Sequence, residues 1–139
     1  MPSTGDNVKF SARDASQIIE KLDFKGGLVT VVAVDRDTKE VLMVAFMNRE
    51  AVLRTLQTGL MHYWSRSRRK LWMKGEKTGH VQRVTRVRVV CDVDALLFDV
   101  EQVGDACHRG HRSCFHRELK RGKPAAALRP ELDMREIYR

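Results

Sequence analysis

Between Arg88 and Phe115 lie all the thiols of the chain, Cys91, Cys107 and Cys114, with four aspartates, Asp92, Asp94, Asp99 and Asp105, and two histidines, His108 and His111. So dense a set of soft and hard donors reads as metal chemistry. Cys107 and Cys114 stand seven positions apart, wider than the spacing of a structural zinc knuckle, so a further ligand has to come from elsewhere, and Cys91 is the remaining thiol. Three cysteines with no fourth leave one tetrahedral position for water, the arrangement of catalytic rather than structural zinc, in which the pKa of that water falls to about 7. The plain alternative is three small buried hydrophobes. In an extended chain Asp92 and Asp94 point to one side and Cys91 to the other. Two carboxylates on one face suit Mg²⁺ completed by water or substrate phosphate, but the pair by itself favours a solvated turn between strands.

Other residues outside this metal set have chemistry to offer. His108 and His111 flank the cysteines as a general base or a further ligand, and His80 follows a loop bracketed by Gly75 and Gly79. His62 and His116 have no context that lifts them above surface or core roles. Arg66, Arg68, Arg69 and Lys70 alternate with Ser65 and Ser67 between Trp64 and Trp72. Basic side chains among aromatics can stack a purine and hold phosphate, can bind RNA, or can form a charged hairpin tip in water.

The elements that must position these residues follow from pattern. Ser11 caps a helix to about Leu22, with Ile18, Ile19 and Leu22 on one face, and Asn48 caps a second, in which Val52, Leu53 and Leu56 share a face before Gly59 ends it. Leu28 to Val34 and Val41 to Phe46 read as a hairpin of core strands, Met61 to Ser65 and Leu71 to Met73 as two shorter strands, Val81 to Cys91 as a long one and Ala95 to Val103 as the last. Lys74 to His80 is a polar loop of the kind that carries sites. Leu132 to Tyr138 reads as a last short helix or an arm. The fold class expected is α+β, mostly antiparallel strands with two or three helices in a single compact domain over residues 1–139.

Composition limits the function classes. A chain of 139 residues suits one domain, and 42% hydrophobic with 32% charged residues excludes a disordered or membrane protein. No apolar run is long enough to span a bilayer and the polar start lacks a secretory core, so the cytoplasm is the expected compartment. There an odd count of three cysteines argues against a disulfide framework and leaves thiolates for metal or catalysis. The net charge of +8 implies anionic partners, either nucleic acid or a phosphorylated small molecule.

Five ordered blocks resemble the phosphoribosyl-AMP cyclohydrolase family of histidine biosynthesis: Phe46-Met47-Asn48, Tyr63 to Arg68, Leu71 to His80, Cys91 to Asp94, and Cys107 to Gly110 with Ser113-Cys114-Phe115. The resemblance covers roughly Thr30 to Leu119. It implies hydrolytic opening of the adenine six-membered ring of N1-(5-phosphoribosyl)-AMP, by water addition at C6 and cleavage of the N1 to C6 bond. It also implies an intertwined homodimer in which Cys91 of one subunit joins Cys107 and Cys114 of the other around Zn²⁺, with Mg²⁺ at Asp92 and Asp94. His108, and next His80, are the expected proton-transfer groups. Arg66, Arg68, Trp72, Lys74, Glu76 and Thr78 are the expected contacts for the phosphorylated nucleotide, with no nucleic acid or membrane partner. One departure stands out, because the family usually places an aspartate where this chain has Val90. No fused pyrophosphohydrolase domain is expected. The rival readings are a small zinc-containing RNA-binding module and a zinc purine deaminase, the latter weakened by the lack of its His-x-Glu and Pro-Cys-x-x-Cys signature.

Overall fold

The computed structural model describes residues 7–107, 110–122 and 128. Two helices form where the sequence supplies caps. In α1, Ala12–Lys21, the Ser11 hydroxyl accepts from Asp14 N at 3.1 Å. In α2, Arg49–Thr58, the Asn48 side-chain Oδ1 accepts from Ala51 N at 2.9 Å, and Gly59 at φ 74° closes the helix in the left-handed conformation. Both helices turn apolar faces to one core, where Ala51, Val52 and Leu56 meet Leu42, Met47, Met61, Tyr63 and Phe98.

Six strands complete the fold: β1 Val29–Asp35, β2 Val41–Met47, β3 His62–Ser65, β4 Lys70–Met73, β5 Gln82–Val89 and β6 Ala95–Gln102. Four of them form a sheet in the order β2-β1-β6-β5, and β3 and β4 form a separate antiparallel pair. The architecture is the expected α+β, with two helices and mostly antiparallel strands among the described residues. Its one parallel ladder, β1 on β6 with Thr30 opposite Ala95 and Asp35 opposite Val100, brings the first and last strands together and places both strand starts at one end of the sheet. The β3–β4 pair is tied to β5 through the chain before it, since Val84 N donates to Gly59 O at 2.8 Å and Met61 N to Gln82 O at 3.1 Å.

Two expectations need correction or fall outside the description. The strand expected to run from Val81 to Cys91 ends at Val89, and residues 91–94 form a turn, so the strand-face argument that set Cys91 opposite Asp92 and Asp94 does not hold. The cause is local: Val93 takes φ 55° and its N–H bonds to Val90 O at 2.9 Å, which turns the chain back into β6. The expected segment from Leu132 to Tyr138 lies outside the described residues.

The charged side of the sheet is itself ordered. On β6, Asp99 is buried and accepts from Lys39 Nζ at 3.0 Å and Arg88 Nη2 at 2.8 Å, while Glu101 meets Arg36 and Arg83, each at 3.3 Å. Burial alone raises the Asp99 pKa, but the hydrogen bonds and charges of Lys39 and Arg88 outweigh it and hold the carboxyl below its ordinary value of 3.8. A carboxylate with a depressed folded-state pKa contributes stability that is present above the unfolded value and lost as pH falls through the folded value. Asp99→Asn should therefore lower stability at pH 7 and flatten its decline below about pH 4. Urea unfolding of both proteins from pH 7 to pH 2.5 checks this, and parallel curves would contradict it.

Candidate functional site

β6 decides where the donors sit. It spans eight residues, or roughly 25 Å at the 3.3 Å rise of a strand. Cys91, Asp92 and Asp94 precede its first residue, and Cys107 and Cys114 follow its last. The three thiols therefore occupy opposite ends of the sheet. Accordingly, no group of three His, Cys, Asp or Glu side chains arranged for a metal occurs among the described residues. At the first end Cys91 is exposed, Asp94 lies near Lys25, and Val89 and Val93 line an apolar groove with Phe10, Ile18 and Leu22 of the α1 region.

At the second end the loop after β6 folds back on itself, with Ala106 N bonded to Arg112 O and Cys107 N to His111 O, each at 3.0 Å. Cys107 is buried in it, and Cys114 N donates to Leu42 O of β2 at 2.7 Å. Beneath this loop sits Tyr63, whose hydroxyl pKa is pushed well above its ordinary value by burial and further by Cys114. Lys74 Nζ donates to Ala106 O beside Cys107, and its ammonium lies 5.8 Å from the Trp72 ring, which itself packs against Tyr63 at 5.3 Å.

Of the other residues expected in the site, His80, Lys74 and Thr78 belong to this end. The His80 ring rests on Gly104, where a Cβ would come within 2.5 Å of Cδ2, and Thr78 Oγ1 accepts from His80 N at 3.1 Å. No hydrogen bond to the His80 ring is found among the described residues. Glu76 is exposed on the same loop. Arg66 and Arg68 stand at the far tip of the β3–β4 hairpin, with the Arg66 guanidinium 4.1 Å above the Phe46 ring. His108 lies outside the described residues. His62 takes a core role, buried with Nδ1 2.8 Å from Leu60 O, and burial lowers its pKa.

Sequence reasoning missed the buried chain that joins these parts. Tyr63 Oη donates to Gln82 Oε1 at 2.6 Å, Gln82 Nε2 donates to Gln102 Oε1 at 2.7 Å, and Gln102 Nε2 donates to His80 O at 3.3 Å and Val103 O at 2.9 Å. The two carbonyls at its end can only accept, which fixes both amide orientations and makes Tyr63 the donor. Gln82 and Gln102 face each other across the β5–β6 ladder at core positions, and the sequence shows only an uncharged polar residue in each of two strand-like stretches. A second omission is Arg112, whose guanidinium bonds to the buried Asp35.

Comparison with known proteins places this arrangement. The sequence profile of the family described as phosphoribosyl-AMP cyclohydrolase matches residues 43–116. Proteins named phosphoribosyl-AMP cyclohydrolase are similar over most of the chain. The one from Sulfurisphaera tokodaii is 54% identical over 114 residues, 81% of this chain and 97% of the relative. That from Methanosarcina acetivorans is 53% identical over 102 residues, covering 73% and 85%. That from Archaeoglobus fulgidus is 60% identical over 94 residues, covering 68% and 87%.

The buried chain should show its coupling in stability. Gln82→Met leaves the Tyr63 hydroxyl and the Gln102 carbonyl unpaired in a dry core, each costing about 1–3 kcal/mol. Tyr63→Phe in the Gln82→Met background should then cost less than Tyr63→Phe alone, by more than about 0.5 kcal/mol. A double-mutant cycle by chemical denaturation measures this, and additive costs would show that the chain does not act as a unit.

Proposed function

The chain belongs to the phosphoribosyl-AMP cyclohydrolase family of histidine biosynthesis, and from that premise we propose that it opens the adenine six-membered ring of N1-(5-phosphoribosyl)-AMP as a zinc-dependent homodimer. The observation that carries the proposal is the division of the thiols between the two ends of β6. Two soft ligands on one docked loop and a third on an exposed turn suit a zinc completed by a second copy, Cys91 from one subunit and Cys107 and Cys114 from the other. When bound, zinc supplies Lewis-acid activation of water at neutral pH. Exposed Val89 and Val90 beside Cys91 give that turn an apolar surface for a partner subunit to cover.

N1 alkylation makes the purine ring cationic and C6 electrophilic. Water oxygen bonds to C6, the N1–C6 bond breaks, N1 takes a proton, and C6 becomes a carboxamide carbon. His108 is the preferred group for this proton movement. His80 is the second, and it has support in geometry: its ring is held against Gly104 on the side of the cysteine loop and its nitrogens are unclaimed among the described residues. Lys74 and Thr78 on the loop between β4 and β5, and Arg66 and Arg68 on the hairpin tip, would serve as two separate anion contacts for a substrate with two phosphates. Trp72, packed on Tyr63 and 5.8 Å from the Lys74 ammonium, and the exposed Glu76 are the further substrate contacts of this reading. Asp92 and Asp94 supply hard donors for Mg²⁺, with Val90 in the place of a third. The reducing cytoplasm suits three cysteines held outside any disulfide.

Zinc-loaded protein mixed with N1-(5-phosphoribosyl)-AMP should produce the ultraviolet change of ring opening, abolished by a chelator, and an unchanged spectrum would end the proposal. His108→Ala should lower turnover by about 10²–10⁴-fold at full zinc occupancy, with His80→Ala the comparison. Near-normal turnover of the first would remove His108 from the proton path. Because two carboxylates bind Mg²⁺ less tightly than three, Val90→Asp should shift the Mg²⁺ dependence of activity to lower concentration, and identical titrations would contradict the role given to position 90.

A further inference from the structure

Among the described residues the loop that carries Cys107 and Cys114 contributes no strand to a sheet, so ladder hydrogen bonds do not set their separation. Arg112, between them in sequence, ties the loop to the β1–β2 turn by two contacts and to the segment just after β6 by a third. Its Nη2 bonds to Asp35 Oδ2, Nη1 donates to Gly104 O at 3.2 Å, and Nε lies 3.7 Å from Glu40 Oε1. Asp35 is itself fixed: it is buried at the end of β1, and its other oxygen accepts from Asp37 N at 2.9 Å and Thr38 N at 3.0 Å. Ser113 continues the attachment, donating to Val41 O at 2.6 Å and accepting from Phe115 N at 2.9 Å, and Cys114 N follows onto Leu42 O. A planar guanidinium hydrogen-bonded through both Nη1 and Nη2, with Glu40 as a nearby counter-charge, fixes orientation as well as place, which a lysine cannot do.

We propose that Asp35, acting through Arg112, is a positioning residue for the Cys107 and Cys114 pair, holding the loop in the conformation that binds metal before metal arrives. This rests on the assignment of the two thiols as zinc ligands. Where the competent conformation is only partly populated, apparent affinity falls by that fraction. Asp35 and Arg112 thus set zinc affinity without contacting zinc. The network on Asp99, also a buried carboxylate bonded to basic side chains, lies on β6 and makes no contact with the cysteine loop among the described residues, so it supplies a control.

The experiment is zinc competition against a chromophoric chelator, using the full-length chain, with cobalt absorption as a second signature of thiolate ligation. Asp35→Asn should weaken zinc binding by about 10–100-fold at unchanged stoichiometry and with the thiolate-to-cobalt band retained. Arg112→Lys, which keeps the charge and loses the fork, should give a smaller loss, and it stands in if Asp35→Asn does not fold. Asp99→Asn should leave affinity within about threefold, inside the range expected of a change that does not reach the site. Undiminished affinity in folded Asp35→Asn or Arg112→Lys, while Cys107→Ser and Cys114→Ser abolish binding, overturns the positioning role alone. Binding that survives both serine variants overturns the ligand assignment and the positioning role together.

Discussion

A β-strand is stiff and lengthens by a fixed amount per residue, and β6 imposes that length on the chemistry of this chain. Eight residues of strand stand between the turn that carries Cys91 and the loop that carries Cys107 and Cys114. The parallel ladder to β1 and the antiparallel ladder to β5 hold β6 straight on both sides, so its ends cannot be brought together by bending. Donors that look like one cluster over 24 positions of sequence therefore become two half-sets. Proximity in sequence is a poor guide to proximity in space when a strand intervenes.

That geometry separates what the sequence made legible from what it did not. Caps at Ser11 and Asn48, the Gly59 stop and the β1–β2 hairpin depend on short-range rules and appear as expected. The pairing of β1 with β6 depends on contacts more than sixty positions apart, for which no local pattern carries a signal. The segment 91–94 carried two readings for a different reason: Asp92 and Asp94 suit a solvated turn, as found, while β-branched Val93 favours the strand that was expected to run on to Cys91, a preference that tertiary contacts override. The types of the site residues were readable, whereas the supports beneath them were not. Gln82, Gln102 and Asp35 are polar residues inside strands, and only the buried partners of each explain its presence there.

The two ends of the sheet also differ in how their backbone is fixed. At the cysteine-loop end glycine provides the close approaches. A Cβ on Gly75, at φ 83°, would meet the His80 carbonyl carbon at 2.4 Å, and one on Gly104, at φ 70°, would strike the His80 ring. Both positions let His80 lie flat against the start of the cysteine loop, and Gln102 secures it by bonding to its carbonyl. The imidazole is thus held through its backbone and its contact with Gly104, and no hydrogen bond to its nitrogens is found among the described residues.

At the Cys91 end the corresponding position is filled by valine. A left-handed backbone costs an L-residue about 1–2 kcal/mol, and a β-branched side chain tolerates it least. Val93 nevertheless holds φ 55°, between Asp92 and Asp94. Three contacts counter that cost: its N–H bonds to Val90 O, its carbonyl accepts from Asp23 N at 2.8 Å, and its side chain lines the groove with Phe10, Ile18 and Leu22. The turn is therefore anchored both to its own strand and to the segment after α1. A strained residue persists where its surroundings over-determine it. The consequence for Cys91 is that its exposed thiol stands on a fixed platform rather than a loose connection.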